Sequence, residues 1–193
     1  MKITVFYDYI CPFSFIGSRR IQRIGGEFGL EIDWKGYEIH PEYPAKGKER
    51  KRTIRTIRVM ESLQNAIEDE DIKFQLPGFI TNSRHCLEAA EFSKAKGRFI
   101  EFHNLCYESF FLEKRNIGDL HVILEIAEKA GIDTNELEHD LNNGEMAEAL
   151  GQYRRDAQKL DVLGVPTVVF NDFRVHGVQS VDTYRSIIAK FSN

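Results

Sequence analysis

Residues 2–8, Lys2-Ile3-Thr4-Val5-Phe6-Tyr7-Asp8, alternate polar and apolar side chains as a strand does. A few residues later the repeat changes. Phe15, Ile16, Ile21 and Ile24 follow helical spacing, and the spacing predicts a helix over residues 13–29. Gly25-Gly26 weakens its end and Gly29 supplies a natural stop. Leu30 to Ile39 alternates again, as a second strand would. Strand, helix and strand in this order imply a parallel pair joined by a right-handed crossover. At the first handover stands Cys11-Pro12-Phe13-Ser14.

The place of Cys11 gives it chemical interest. Unpaired N–H groups at a helix N-terminus favour negative charge, so the thiol pKa is expected to fall and the reactive thiolate to be populated. The chain has two other cysteines, Cys86 and Cys106, widely spaced and with no C-x-x-C pair. A disulfide framework and a zinc site are therefore not expected. Both residues fall on apolar helical faces and read as core. The six histidines show no metal-binding spacing such as H-E-x-x-H. His40 and His103 are the two whose approach to Cys11 stays open. No metal is expected. A net charge of −4 gives no basic field for nucleic acid, and no apolar run approaches the roughly 20 residues that span a bilayer. The N-terminus enters a strand pattern at once, without a signal core. With unpaired cysteines, this places the protein in the reducing cytoplasm.

His40-Pro41-Glu42-Tyr43-Pro44-Ala45 breaks regular structure. Seven cations then fall between Lys46 and Arg58 against Glu49 alone. A helix is expected to begin there and reach about Ile72, with its later part acidic. The basic stretch reads either as a solvated face or as a patch for a polyanion or substrate carboxylates. It lacks the interleaved aromatics of a nucleic-acid platform. After a turn at Gln75-Leu76-Pro77-Gly78 the pattern is helical to about Leu160. Thr81-Asn82-Ser83 offers a cap for a helix through Ala95, and further helices are expected over residues 98–112, 119–130, from 133 to about 142, and 145–160. Alternation returns in Thr167–Phe170 and Phe173–His176, a hairpin through Asn171-Asp172, before a last amphipathic helix over 181–191. The length suits one domain, or one domain with a large insertion.

A β-α-β half and a β-β-α half with a cysteine at the first strand-to-helix turn resemble the thioredoxin fold. The long helical block between them resembles the insertion of the DsbA family. Asp8-Tyr9-Ile10-Cys11-Pro12-Phe13-Ser14-Phe15-Ile16-Gly17-Ser18-Arg19-Arg20 is similar to the D-x-x-C-P-W-C-Y-I-G-x-R-R stretch of its FrnE-like branch. Tyr37-Glu38-Ile39-His40-Pro41, Leu163-Gly164-Val165-Pro166-Thr167 and Gly177-Val178-Gln179-Ser180 resemble further stretches of that branch. The resemblance implies an α/β, DsbA-like fold. Its thioredoxin-like domain would span residues 1–45 and 161–193, with an all-helical insertion over 46–160.

The resemblance also implies roles. Cys11 would be the reactive thiol. Ser14 stands where the branch has its second cysteine, so its hydroxyl can donate to the Cys11 thiolate but cannot resolve a mixed disulfide. Pro166 would be cis and face Cys11, leaving the backbone of Val165 to pair with substrate, beside Pro12 and Phe13. Gln179 and Ser180 would hold a carboxylate at the last helix, although Ser180 is equally placed to cap it. Asn82 and Ser83 match another stretch of the branch near its site, and a helix cap explains them as well. The function implied is a monothiol disulfide oxidoreductase or isomerase without a tightly bound cofactor, taking thiol or disulfide substrates and using glutathione as co-substrate. Related 2-hydroxychromene-2-carboxylate isomerases and kappa-class glutathione transferases, which use serine at the first position, imply a glutathione-dependent isomerase or transferase instead. A non-catalytic peptide-binding module is the third possibility.

Overall fold

The computed structural model describes residues 1–67 and 76–191, with Arg55 described by its backbone alone. β1 (Lys2–Tyr7) stops one residue short of the alternation. Asp8 leaves the strand to bind backbone: its Oδ1 accepts from the Ile10 N–H at 3.2 Å and its Oδ2 from the Ile39 N–H at 2.8 Å. α1 (Pro12–Phe28) opens on proline, whose fixed φ suits the first helical position. It continues through Gly25-Gly26 rather than fraying there. Gly25 lies against Ile32, where a Cβ would meet Cδ1 at 2.7 Å, so its bare backbone permits close helix–sheet packing. Gly29 ends the helix at φ 60° and ψ 41°.

β2 (Glu31–Gly36) pairs parallel with β1, from Lys2 opposite Glu31 to Tyr7 opposite Gly36. It is shorter than the 30–39 expected. The Tyr37 N–H still reaches the Tyr7 carbonyl at 2.7 Å, but the Ile39 N–H has turned to the Asp8 carboxylate.

The basic stretch divides into β3 (Lys48–Glu49) and α2 (Ile54–Ala66). Thr53 starts α2 with a reciprocal cap: its hydroxyl accepts from the Thr56 N–H at 3.2 Å, and Thr56 Oγ1 accepts from the Thr53 N–H at 2.8 Å. The expected continuation to Ile72, its acidic end from Glu68 to Asp71, and Gln75 of the expected turn lie outside the described residues. β3 pairs antiparallel with β4 (Phe79–Ile80), so the insertion expected as all-helical carries a small ribbon. Two-residue strands are too short to show an alternation.

α3 (Arg84–Ala95), α4 (Phe99–Phe111), α5 (Leu120–Lys129), α6 (Thr134–Asn143) and α7 (Ala147–Lys159) fall within two residues of expectation. The α3 cap comes from Asn82, whose Oδ1 accepts from the Arg84 N–H at 2.7 Å. β5 (Thr167–Phe170), β6 (Phe173–His176) and α8 (Val181–Phe191) close the chain. The main sheet runs β2-β1-β5-β6, with β5 antiparallel to both β1 and β6.

Among the contacts that bind the insertion to the β-α-β half, two sets differ in chemistry. The first is aromatic: Phe15 of α1 stacks on Phe111 (5.4 Å, 7°) and on Tyr107 (5.3 Å, 26°) of α4, each pair adding about 0.5–1.5 kcal/mol beyond area burial. The second is polar. Lys94 of α3 donates to the Trp34 carbonyl of β2 and pairs with Glu91 at 2.7 Å, while the Tyr153 hydroxyl of α7 donates to Glu91 at 2.7 Å. Among the described residues no helix is long and apolar enough to cross a membrane.

Candidate active site

Cys11 is the N-cap of α1, with φ −88° and ψ 114°. Its N–H donates to the Asp8 carbonyl at 3.1 Å and its carbonyl accepts from the Phe15 N–H at 3.2 Å, so both backbone groups are fixed. The thiol does not cap the helix. It crosses to the other half of the fold and donates to the Val165 carbonyl at 3.3 Å. The Val165–Pro166 peptide is cis. α1 approaches this loop closely because residue 17 is glycine: a Cβ there would stand 3.1 Å from Pro166 Cγ.

The pKa expectation from helix position alone is reversed. Burial pushes the Cys11 thiol up to about 11, and the Asp8 charge pushes the same way. The Ser14 hydroxyl and N–H and the Phe13 N–H oppose them without winning. Cys11 is only 6% exposed, so desolvation of the thiolate outweighs the helix terminus. The resting thiol is therefore protonated, with its hydrogen on Val165.

Asp8 is fully buried beneath Cys11, and burial raises its carboxyl to about 6 against the two N–H groups that hold it down. The sequence assigns Asp8 no role of its own. A carboxylate closing an apolar strand three residues before the cysteine was the signal available.

The thiol faces a groove of about 730 Å³. Pro12 and Phe13 line it on the Cys11 side. Val165 is half-buried and Pro166 buried; the Val165 carbonyl meets the thiol, but neither residue lines the groove. The opposite wall is built from the insertion, with Lys48, Glu49, Arg50, Lys51, Thr56 and Val59. Part of the basic stretch thus borders the groove, with Lys48 and Lys51 still exposed to solvent. Lys48 Nζ sits 4.6 Å from the Tyr43 ring centroid, and that ring stacks on His40 at 4.2 Å. Arg50 is engaged structurally, donating to the Pro77 and Phe79 carbonyls at 2.9 and 3.2 Å. Among the described residues Lys51, Arg52 and Arg58 form no ion pair.

Of the remaining expected residues, only His40 lines the groove. Gln179 offers its carbonyl to Arg20 Nη1 at 2.9 Å, and its side chain donates to the His176 carbonyl at 3.1 Å. Ser180 Oγ accepts from the Thr183 N–H at 3.1 Å, so Ser180 caps α8. Neither lines the Cys11 groove. Of the two open histidines, His40 lines the groove and pairs with Glu42 at 2.8 Å. His103 is core. Its Nδ1 meets Tyr9 Oη at 3.1 Å and its Nε2 meets Ser18 Oγ at 2.6 Å, and burial drives it down to about 3, so it is neutral. Asn82 binds Glu38 at 3.0 Å. Cys86 and Cys106 are fully buried. Among the described residues no group of three His, Cys, Asp or Glu side chains is arranged to hold a metal ion.

Residues 2–189 match the family model of the DSBA-like thioredoxin domain. The solved structure of the probable DsbA oxidoreductase SCO1869 from Streptomyces coelicolor superposes with a TM-score of 0.86 at 19% identity, covering 98% of this chain and 89% of that one. The 2-hydroxychromene-2-carboxylate isomerase of Pseudomonas putida is 22% identical over 178 residues, which is 89% of this chain and 86% of that protein. A solved structure of such an isomerase superposes with a TM-score of 0.83 at 20% identity, covering 100% and 96%. The cytosolic disulfide reductase DsbM from Pseudomonas aeruginosa, solved with GSH, superposes with a TM-score of 0.73 at 14% identity, covering 98% of each chain. At such identities the structural likenesses speak for the fold. The family match spans nearly the whole chain, and the chain belongs to the DSBA-like thioredoxin domain family.

Proposed function

We propose that the protein is a monothiol disulfide oxidoreductase or isomerase acting through Cys11, with glutathione as its co-substrate. The observation that carries this is the Cys11 thiol on the Val165 carbonyl, at the mouth of the groove. An extended disulfide substrate takes over the Val165 backbone and releases the thiol toward the Ser14 and Phe13 donors. Cys11 sulfur then attacks one sulfur of the substrate disulfide. A new Cys11–substrate disulfide forms, the old S–S bond breaks, and the thiol proton goes to the departing sulfur. Ser14 has no sulfur with which to attack the mixed disulfide. An external thiol does so and regenerates Cys11, leaving the chain's redox state unchanged over the cycle.

Glutathione suits this role because it carries carboxylates, and Lys48 and Lys51 line the wall opposite the thiol. DsbM, a relative in fold, was solved with the same tripeptide. Three free thiols suit a reducing compartment, and we place the protein in the cytoplasm.

The test is intact mass after incubation with oxidised glutathione. Wild type gains one glutathionyl group and Cys11→Ser gains none. Disulfide exchange by Cys11→Ser falls by on the order of 10³-fold or more, as loss of a nucleophile does. With the free thiol held at about 11, adduct formation accelerates as pH rises through the neutral range. An adduct retained in Cys11→Ser, or absent from wild type, overturns the reading. The likeness to 2-hydroxychromene-2-carboxylate isomerase favours a second reading, in which the thiol of bound glutathione does the chemistry. Isomerase or transferase activity that survives Cys11→Ser distinguishes it.

A further inference from the structure

Cys86 of α3 and Cys106 of α4 stand 20 residues apart in sequence, and their sulfurs lie 3.0 Å apart. That is about 1 Å from bonded separation. Both side chains are fully buried, on adjacent helices of the insertion, and share one core with Tyr9. Tyr9 belongs to the segment that delivers Cys11. Ordinary core packing asks only for apolar bulk at these positions. It does not require two sulfurs to meet.

We infer that Cys86 and Cys106 form a second redox centre, converted by a peroxide-class oxidant into an intramolecular disulfide that ties α3 to α4. One thiol sulfur attacks a peroxide oxygen and the O–O bond breaks, giving a sulfenic acid and one water. The second sulfur displaces the sulfenic oxygen as a second water, and the S–S bond forms. Overall two thiols and one hydrogen peroxide become one disulfide and two waters. The cysteines are oxidised by two electrons and the peroxide is reduced by two.

The proximity of the sulfurs makes the second step intramolecular and fast, and burial makes the first step slow. Burial and the neighbouring Cys86 push the Cys106 thiol well up, so the thiolate becomes available when the helix pair opens. The reaction is independent of Cys11. Ser14 leaves Cys11 without a thiol partner in its own motif, so the two-thiol capacity of the chain resides in the insertion.

The full chain carrying Cys11→Ser isolates the pair. After hydrogen peroxide, quenching, denaturation and alkylation, its intact mass is expected to be lower by two hydrogens, with no alkyl group added. Trypsin is expected to release peptide 85–94 joined to peptide 99–114, and reductant to separate them. Adding Cys86→Ala removes the cross-link. The oxidised form is also expected to unfold at a higher temperature than the reduced one, because closing this loop restricts the unfolded chain. Two alkyl groups per chain after peroxide, both in buffer and in urea below the unfolding transition where the helices open, overturn the inference. So does oxygen addition to either cysteine without a cross-link.

Discussion

The two walls of the Cys11 groove are built on different principles. On the sheet side the geometry is set by backbone. Cys11 is an N-cap with both main-chain groups bonded, its thiol rests on a carbonyl, and Gly17 lets α1 close on Pro166. On the insertion side the wall is made of long charged side chains above a short ribbon and the first turns of α2. The sheet side can fix a reacting atom to within a fraction of an ångström. The insertion side can select by charge but orders little. A DSBA-like domain that keeps the first wall and varies the second keeps its chemistry while changing its clientele.

The strongest way to probe the sheet-side wall is its buried acid. Folding raises the Asp8 carboxyl from 3.8 to about 6, so between those values the folded chain holds a proton that the unfolded chain has released. Stability contributed by Asp8 is therefore full below about pH 4 and is lost as pH rises through 6. Two units correspond to about 3 kcal/mol. In Asp8→Asn the titration disappears. The amide also presents an N–H to the Ile10 or the Ile39 N–H, a cost that does not change with pH. Urea unfolding at pH 4 and pH 7 is expected to favour the variant by about 2 kcal/mol more at pH 7 than at pH 4. The same substitution lowers the Cys11 pKa by removing a neighbouring negative charge, and a thiol titration reads that directly. A difference in stability independent of pH would mean that Asp8 stays ionised in the fold.

The insertion-side wall predicts the opposite pattern: little change in stability and a change in selectivity. Lys48→Glu with Lys51→Glu is expected to slow exchange with oxidised glutathione about tenfold, or about 1.4 kcal/mol, through KM. Exchange with an uncharged small disulfide is expected to stay within twofold. The difference between the two substrates is expected to shrink in 1 M salt, where charges are screened within about 3 Å. Equal slowing of both substrates would show that the reversal disturbed Cys11, and that the two walls are not separable.

The contrast between the walls also explains what the sequence disclosed. The β-α-β start, the hairpin from Thr167 to His176 and the stop at Gly29 were legible, because a local repeat or a single glycine determines each. So was the cis peptide at Pro166, through a family resemblance rather than through any local pattern. The raised Cys11 pKa was not legible. A helix N-terminus is visible in sequence, whereas the burial that raises the thiol comes from tertiary packing, which brings in Val165 from 154 residues away, and the Asp8 charge adds to it. The ribbon of β3 and β4 left no signal in two residues a side, and it was the ribbon that brought Lys48 and Lys51 to the groove. His103 was open from sequence. Its Tyr9 and Ser18 partners lie 94 and 85 residues away and place it in the core.

Ser180 belongs to neither wall, which makes it the finest test of where the site ends. The resemblance assigns it a substrate carboxylate, whereas its hydroxyl is occupied by the Thr183 N–H and hydroxyl at 3.1 and 2.9 Å. A capping hydroxyl stabilises a helix by about 1 kcal/mol. Ser180→Ala is therefore expected to lower stability by that amount and to leave exchange with glutathione within twofold. Asp at the same position caps equally well and adds a negative charge, so Ser180→Asp is expected to restore stability. The pair of variants separates the two roles. If a carboxylate of the substrate docks at this helix end, Ser180→Asp repels it and raises KM although the fold is intact. If the groove ends at Cys11 and Val165, both variants exchange disulfides at the wild-type rate.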